Sequence, residues 1–264
     1  MERRTRHHAP ARPRTSWLTL FSLLAMLVSC FTAAPASAQE NASPLTPNAA
    51  LYYWRVWFER DRDFASSIAE KHAYKSADAE WRPSPELVKE LELRSGYISG
   101  ILRASEIGPC DFGIAYEDGY MALIPHISLL RESARILAAD ARRLWMSDHN
   151  DEAMERIAAI VRMAGHTRSD RVAISALVGS VLIDAATDET AAMAKAGKLG
   201  AESRTKLAAI VRPLDVEDPM GIRNSVESER TIMLGYVRRR IESAGVKVIE
   251  EFVSLNQSDK DVLA

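Results

Sequence analysis

The sequence predicts an all-α protein, an irregular bundle of about eight helices built from antiparallel αα-hairpins around a buried central helix. Three observations predict it. Apolar residues recur at spacings of 3 and 4 in segment after segment, as at Leu130, Ala134, Leu137, Ala141 and Leu144. No segment alternates apolar and polar residues in the way of a half-buried strand. Val172 to Ala186, VAISALVGSVLIDAA, carries no charge until Asp184, so a helix there has no wet face and is expected to be enclosed on all sides. Its twelve uncharged residues, Val172 to Ile183, fall short of the roughly 20 that span a bilayer.

Residues 1–38 carry the pattern of an export signal and stand outside the fold. Arg3, Arg4, Arg6, Arg12 and Arg14 precede an apolar run from Trp17 to Val28, and Ala36-Ser37-Ala38 supplies the small residues of a cleavage site before Gln39. Arg3-Arg4 lie too far from the apolar run for a twin-arginine signal, which favours ordinary secretory export. Leu27-Val28-Ser29-Cys30 offers a second route, a lipobox in which Cys30 is lipidated and becomes the N-terminus. Both routes place the chain outside the cytoplasm, either periplasmic or secreted, or as a lipoprotein anchored through Cys30.

Without residues 1–38 the chain keeps 29 basic and 35 acidic residues. That balance lacks the clustered positive charge of a nucleic-acid binder. Cys110 is then the only cysteine, which excludes an internal disulfide and leaves stability to the core. The remaining length of about 226 residues is enough for one domain to bury such a core.

Residues 39–46 form a polar linker, and a single helical domain is expected over 47–255. Thr46 as N-cap and Pro47 at the first helical position start the first helix, which runs to Phe58. Tyr53, Trp54, Trp57 and Phe58 share one of its faces, as core packing or as a platform for a carbohydrate or other ligand. Asp61 to Glu80 is a weak continuation followed by a loop. Ser84-Pro85-Glu86 starts a second helix with Leu87, Leu91, Ile98, Ile101 and Leu102 inward, running to about Ala104.

Gly108 to Gly119 has no period and is a loop. Within it Cys110, Phe112, Ile114 and Tyr116 can alternate inward as an apolar plug, leaving the acids in water. A helix that begins at Ile124-Pro125, with Leu130, Ala134, Leu137, Ala141 and Leu144 inward, and another with Met154, Ile157, Val161 and Ala164 inward are joined by Ser147-Asp148-His149-Asn150, an αα-hairpin. Ser169 or Asp170 is placed to cap the central helix, whose far half turns polar at Thr187-Asp188-Glu189-Thr190 and is expected to emerge into solvent before Gly197.

Ser203 to Arg212 is a short helix stopped by Pro213. Asp218-Pro219 opens a longer one with Ile222, Val226, Met233, Val237 and Ile241 facing inward. Arg238-Arg239-Arg240 sits near its C-terminal end, as a solvated end suited to the macrodipole or as a patch for an anion or lipid headgroup. Val246 to Leu255 is a last amphipathic stretch, and 256–264 is a frayed tail. The spacing of a tetratricopeptide repeat is missing.

Motifs that carry chemistry are missing as well. None of the six histidines has a Glu three residues before it, as a di-iron bundle needs, and there is no His-Glu-x-x-His, Gly-x-Ser-x-Gly, Gly-x-Gly-x-x-Gly or Walker loop. These negatives point to no cofactor and no metal. The 108–119 loop is the best remaining site, with Cys110, Asp111, Asp118 and His126 as candidate catalytic residues. His149 and His166 are expected to be solvated and structural, respectively. Asp184 is expected to be buried and paired with Arg131, Arg135 or Arg171, because a buried carboxylate without a partner is costly, with exposure at a helix edge or a catalytic acid as the alternatives.

Pro47-Asn48-Ala49-Ala50-Leu51-Tyr52-Tyr53, Cys110-Asp111-Phe112-Gly113 and the stretch from Leu129 to Gly179 resemble an uncharacterised group of exported helical proteins from planctomycete-type bacteria. The resemblance implies export and a helical fold, and brings no activity with it. The expected function is a helical scaffold or protein-interaction module of the cell envelope. Its partner would be another envelope protein, with the membrane reached only through a lipid on Cys30. The competing expectation is an enzyme or small-molecule binder with its site near the 108–119 loop.

Overall fold

The computed structural model describes residues 46–59, 78, 80–214 and 216–245. The export segment, Cys30, the linker before Thr46, most of the 61–80 stretch and everything from Val246 onward lie outside the described residues. Those described hold eight α-helices and no strand: α1 (Ala49–Phe58), α2 (Pro85–Leu93), α3 (Ser95–Glu106), α4 (His126–Met146), α5 (Asn150–Thr167), α6 (Ala173–Lys195), α7 (Ala201–Val211) and α8 (Ile222–Ala244), with 3-10 turns at Tyr116–Met121 and Arg212–Leu214. The all-α bundle expected from the periodicity is the fold.

The buried helix at its centre is α5, which packs against α3, α4, α6 and α7. Met154, Ile157, Val161 and Ala164 are buried as their spacing predicts, and so are Leu130, Ala134, Leu137, Ala141 and Leu144 on α4. The hairpin between these helices turns on Asp148, whose φ of 64° is left-handed.

Helix α1 starts two residues later than Thr46 suggests. Asn48 is its N-cap, its side chain accepting from the Ala50 N–H at 3.1 Å. Tyr53 and Trp57 are core, stacked at 5.3 Å, whereas Phe58 is 80 % exposed. The Trp57 indole N–H donates to Ser133 Oγ, which also bonds Tyr97 and so ties α1 and α3 to α4. Gly100 lets α3 come close to α1, since a Cβ there would lie 2.6 Å from Val56 Cγ2.

The second predicted helix is two. Ser84 caps α2 through the Leu87 N–H, as expected, but the chain leaves helical geometry at Arg94 and restarts as α3. Leu87, Leu91, Ile98 and Ile101 are all buried on either side of the break.

Helix α6 differs from the expectation of full enclosure. Ile174, Leu177 and Val181 are 45 %, 52 % and 51 % exposed, and Asp184 continues the same stripe into solvent. Asp184 is therefore no buried ion-pair partner. Ser175, Val178, Leu182 and Ala186 form the packed side. Its polar half does not leave the bundle either, because Glu189, Ala192 and Met193 are buried there. Neither Ser169 nor Asp170 caps it. The Ala173 N–H donates at 2.9 Å to Glu229 Oε2, a residue of α8.

Helix α8 packs on α6 and on the Tyr116–Met121 turn, and the face predicted to point inward does so only in part. Ser225 is buried and Ile232, Met233, Tyr236 and Val237 are half-buried, while Ile222, Val226 and Ile241 are exposed at 40 %, 53 % and 37 %. Asp218 caps the helix, its two carboxylate oxygens accepting from the Ile222 and Arg223 N–H groups. Among the described residues no helix is long and apolar enough to cross a membrane.

Candidate functional site

The irregular run from Pro109 to Ala115 is held against α1 by backbone and cap bonds. The Ala49 N–H donates to Pro109 O at 2.8 Å. Asn48 exchanges two bonds with the Asp111 backbone, Nδ2 donating to O at 2.8 Å and Oδ1 accepting from N at 2.9 Å. The exposed Asp111 carboxylate accepts from the Gly113 N–H, an Asx turn that lets Gly113 take its φ of 68°. The alternation expected of the plug is present: Cys110 is buried and Phe112, Ile114 and Tyr116 are half-buried, with Asp111, Glu117 and Asp118 exposed.

Two of the four predicted site residues come together around Phe112. Its ring stacks on the His126 imidazole at 4.0 Å, nearly parallel, and His126 Nε2 bonds Asp170 Oδ2 at 2.8 Å, both side chains within 3 % of full burial. Asp170 also faces Cys110 closely enough to act on its thiol. Burial, then the negative charges of Asp170 and Asp111, push the Cys110 thiol up to about 12, against a smaller opposing bond from the Ala50 N–H. A nucleophilic cysteine needs the opposite surroundings, a cation or helix N-terminus that stabilises thiolate. Asp118 lies on the 3-10 turn in solvent, and no described bond links it to this cluster.

Behind the plug, the Tyr53 hydroxyl meets His166 Nδ1 at 3.0 Å and the opposite ring nitrogen, Nε2, lies 3.1 Å from Ile107 O. A carbonyl can only accept, so Nε2 carries the proton and Nδ1 accepts from tyrosine. Burial holds the His166 pKa below its ordinary value, and burial raises that of Tyr53 well above its own. His166 is thus a neutral structural link between α1, α3 and α5, and His149 is exposed. Ser169 Oγ lies within bonding reach of both Cys110 O and His166 O, which share its one O–H and close the layer.

The most completely buried charges went unpredicted. Arg142 and Glu189 are fully enclosed, joined by two bonds of 2.9 Å, with Arg142 Nη1 donating to the carbonyls of Asp78 and Trp81. The guanidinium lies over the rings of Trp81 and Trp145, 5.8 and 5.4 Å from their centroids. Asp140 accepts from Arg143 and Arg156 nearby. The spacing did hold the signal: Leu182, Ala186, Glu189 and Met193 fall on one face, as do Ala138, Arg142 and Trp145.

Chemically, these groups satisfy one another. Among the described residues no three His, Cys, Asp or Glu side chains are grouped to hold a metal ion. A groove where α8 passes Arg171 is lined by Arg171, Glu227, Ser228, Thr231 and Ile232. No family model, curated protein or solved structure matches the chain.

Proposed function

We propose that this protein is a non-enzymatic helical interaction module of the cell envelope, which docks another envelope protein on its surface. The observation that carries this reading is the stripe Ile174, Leu177 and Val181, half-exposed at spacings of 3 and 4 along a helix whose other side is core. Isolated exposed apolar residues are ordinary, but a row of branched aliphatics on one helix face is what a partner helix or groove engages. The candidate chemistry supports the same conclusion from the other side: Cys110 is a buried, protonated thiol and His126 is stacked and bonded inside the fold. The envelope assignment rests on the basic, apolar and Ala-Ser-Ala pattern of residues 1–38.

The test is co-purification of the tagged protein from its own envelope, wild type against Leu177→Glu. A specific partner retained by the wild type and lost by the variant is the expected result. A partner set indifferent to Leu177→Glu and Val181→Glu would overturn this reading, and turnover of any small molecule dependent on Cys110 or His126 would replace it with an enzyme.

A further inference from the structure

Two contacts fix how α4 and α6 lie. His126 meets Asp170 at 2.8 Å just before α6 begins, and Arg142 meets Glu189, 47 positions on, at 2.9 Å towards the other end. The two helices are therefore parallel neighbours, with Arg131 level with Val178 and Arg135 level with Leu182. At 100° per residue, Arg131 and Arg135 fall within about 20° of Arg142, on the edge of α4 that borders its seam with α6. On α6, Ile174, Val181 and Leu177 lie about 60° to 120° round from Glu189 on one side. Gly179, about 80° round the other way, approaches Met220, where a Cβ would lie 3.0 Å from the sulfur. The aliphatic stripe thus borders the same seam as the two arginines, on its solvent side.

The C-terminal end of the seam is filled. Arg142 is enclosed there, lying over Trp81 and Trp145 and holding the carbonyls of Asp78 and Trp81. Towards the N-terminal end, Arg131 and Arg135 are exposed, and among the described residues neither has a hydrogen-bond or ion-pair partner. Half-buried Glu132 lies on the side of α4 away from α6, and exposed Asp184 bounds the stripe at its far end. Exposed arginines occur elsewhere on this chain. These two are set apart by the row of exposed aliphatics beside them.

From this juxtaposition we infer that the open part of the seam between α4 and α6 receives an amphipathic helix of the partner protein, one that carries carboxylates along one edge. Its apolar face lies on Ile174, Leu177 and Val181, and its acidic edge lies against Arg131 and Arg135, with a basic residue opposite Asp184. Charge complementarity selects this occupant. An aliphatic row alone would accept any apolar surface, but two guanidiniums stripped of water by a docked helix need carboxylates, which their planar forks bind bidentately. From Ile174 to Val181 the stripe covers about two helical turns, roughly 10 Å at 1.5 Å per residue. A contact of that extent belongs with weak, transient interfaces. The inference rests on the interaction-module reading and adds the shape and charge of what docks there.

The experiment is fluorescence anisotropy with a pair of labelled amphipathic helical peptides, titrated with the protein in the form its own cells process. The peptides share one leucine face and differ along one edge, glutamate in the first and lysine in the second. The glutamate-edged peptide is expected to bind on the order of tenfold tighter, by a margin that salt narrows. Arg131→Glu with Arg135→Glu reverses the order, and Leu177→Glu weakens both peptides. All positions changed are exposed, so thermal melts should match the wild type. Binding of neither peptide, equal binding of both, or an order that survives the charge reversal would overturn the inference. An envelope protein still lost with Leu177→Glu would in that case leave the interaction-module reading standing. Self-association that Leu177→Glu abolishes, and that shuts out the peptide, would assign the seam to a second copy of this chain instead.

Discussion

Arg142 of α4 and Glu189 of α6 face each other through two parallel bonds, Nε to Oε2 and Nη2 to Oε1, each 2.9 Å, with no solvent on either side chain. Two charges taken fully out of water are stable only while each has the other. Arg142 also holds the carbonyls of Asp78 and Trp81, so the pair fastens the chain ahead of α2 to the bundle. Glu189→Ala is expected to cost about 3 to 5 kcal/mol in urea denaturation, because it strands a guanidinium in the core. Arg142→Met with Glu189→Leu should recover only part of that loss, since the two carbonyls lose their donor. A double variant as stable as the wild type would show that the carbonyl bonds contribute nothing.

His166 makes folding sensitive to acid. Its folded pKa lies below the ordinary value of 6.5, chiefly because it is buried. Between those two values the unfolded chain holds a proton that the folded chain does not. This contribution to stability is therefore complete above about 6.5 and is lost as pH falls towards the folded value. Protonation also removes the acceptor of the Tyr53 hydroxyl. The melting temperature should drop as pH falls from neutrality through this window, and His166→Gln should flatten that slope.

How much of this was legible follows from what periodicity measures. The stripes at 130–144 and 154–164 were read correctly because each belongs to a helix with one dry face and one wet one. Helix α6 misled for the same reason: a segment with no charge gives no contrast, and the exposure of Leu177 depends on whether a neighbour arrives. On α8 the contrast is clear, yet Ile222, Val226 and Ile241 look outward while Met233 and Val237 are half-buried, because a period identifies the apolar face without identifying what covers it. The break at Arg94 was hidden by Leu91 and Ile98, which are buried on both sides of it. In the loop, Cys110 and His126 were singled out together and do lie in one layer. Their link through Phe112 and Asp170 joins residues far apart in sequence, and no local spacing encodes it.

Gly119 sets the seat of α8. Its φ is 58°, and a Cβ there would lie 2.5 Å from Tyr236 Cγ. Gly119→Ala therefore meets both backbone strain and a ring that cannot yield, at about 1 to 3 kcal/mol. The expected outcome is faster amide exchange along α8 with unchanged protection in α4 and α5. Unchanged exchange throughout would mean that α8 is held by α6 alone.

Cys110 should behave as a small apolar residue. With its thiol pKa raised to about 12, the thiolate fraction near neutrality is negligible, and native alkylation by iodoacetamide should be far slower than in denaturant. Cys110→Ala is expected to cost about 1 to 3 kcal/mol by leaving a small void, and Asp118→Asn to change little. Rapid native labelling that a small molecule blocks would reopen the enzyme reading.

The orientation of α6 is tested by two neighbouring residues. Val178 is 5 % exposed among the core residues, and Leu177, one position earlier and 100° around the helix, is 52 % exposed. Val178→Asp drives an unpaired carboxylate into the bundle, at a cost of several kcal/mol against a typical total of about 5 to 15, and should leave the protein unfolded or aggregated. Leu177→Asp places the same charge in water, where surface substitutions usually shift stability by less than about 0.5 kcal/mol, and should melt as the wild type does. Circular dichroism melts of the two variants separate the possibilities. If α6 were enclosed on all sides, as its composition alone suggests, both substitutions would unfold the protein. Only a helix with its aliphatic stripe in water tolerates one and not the other.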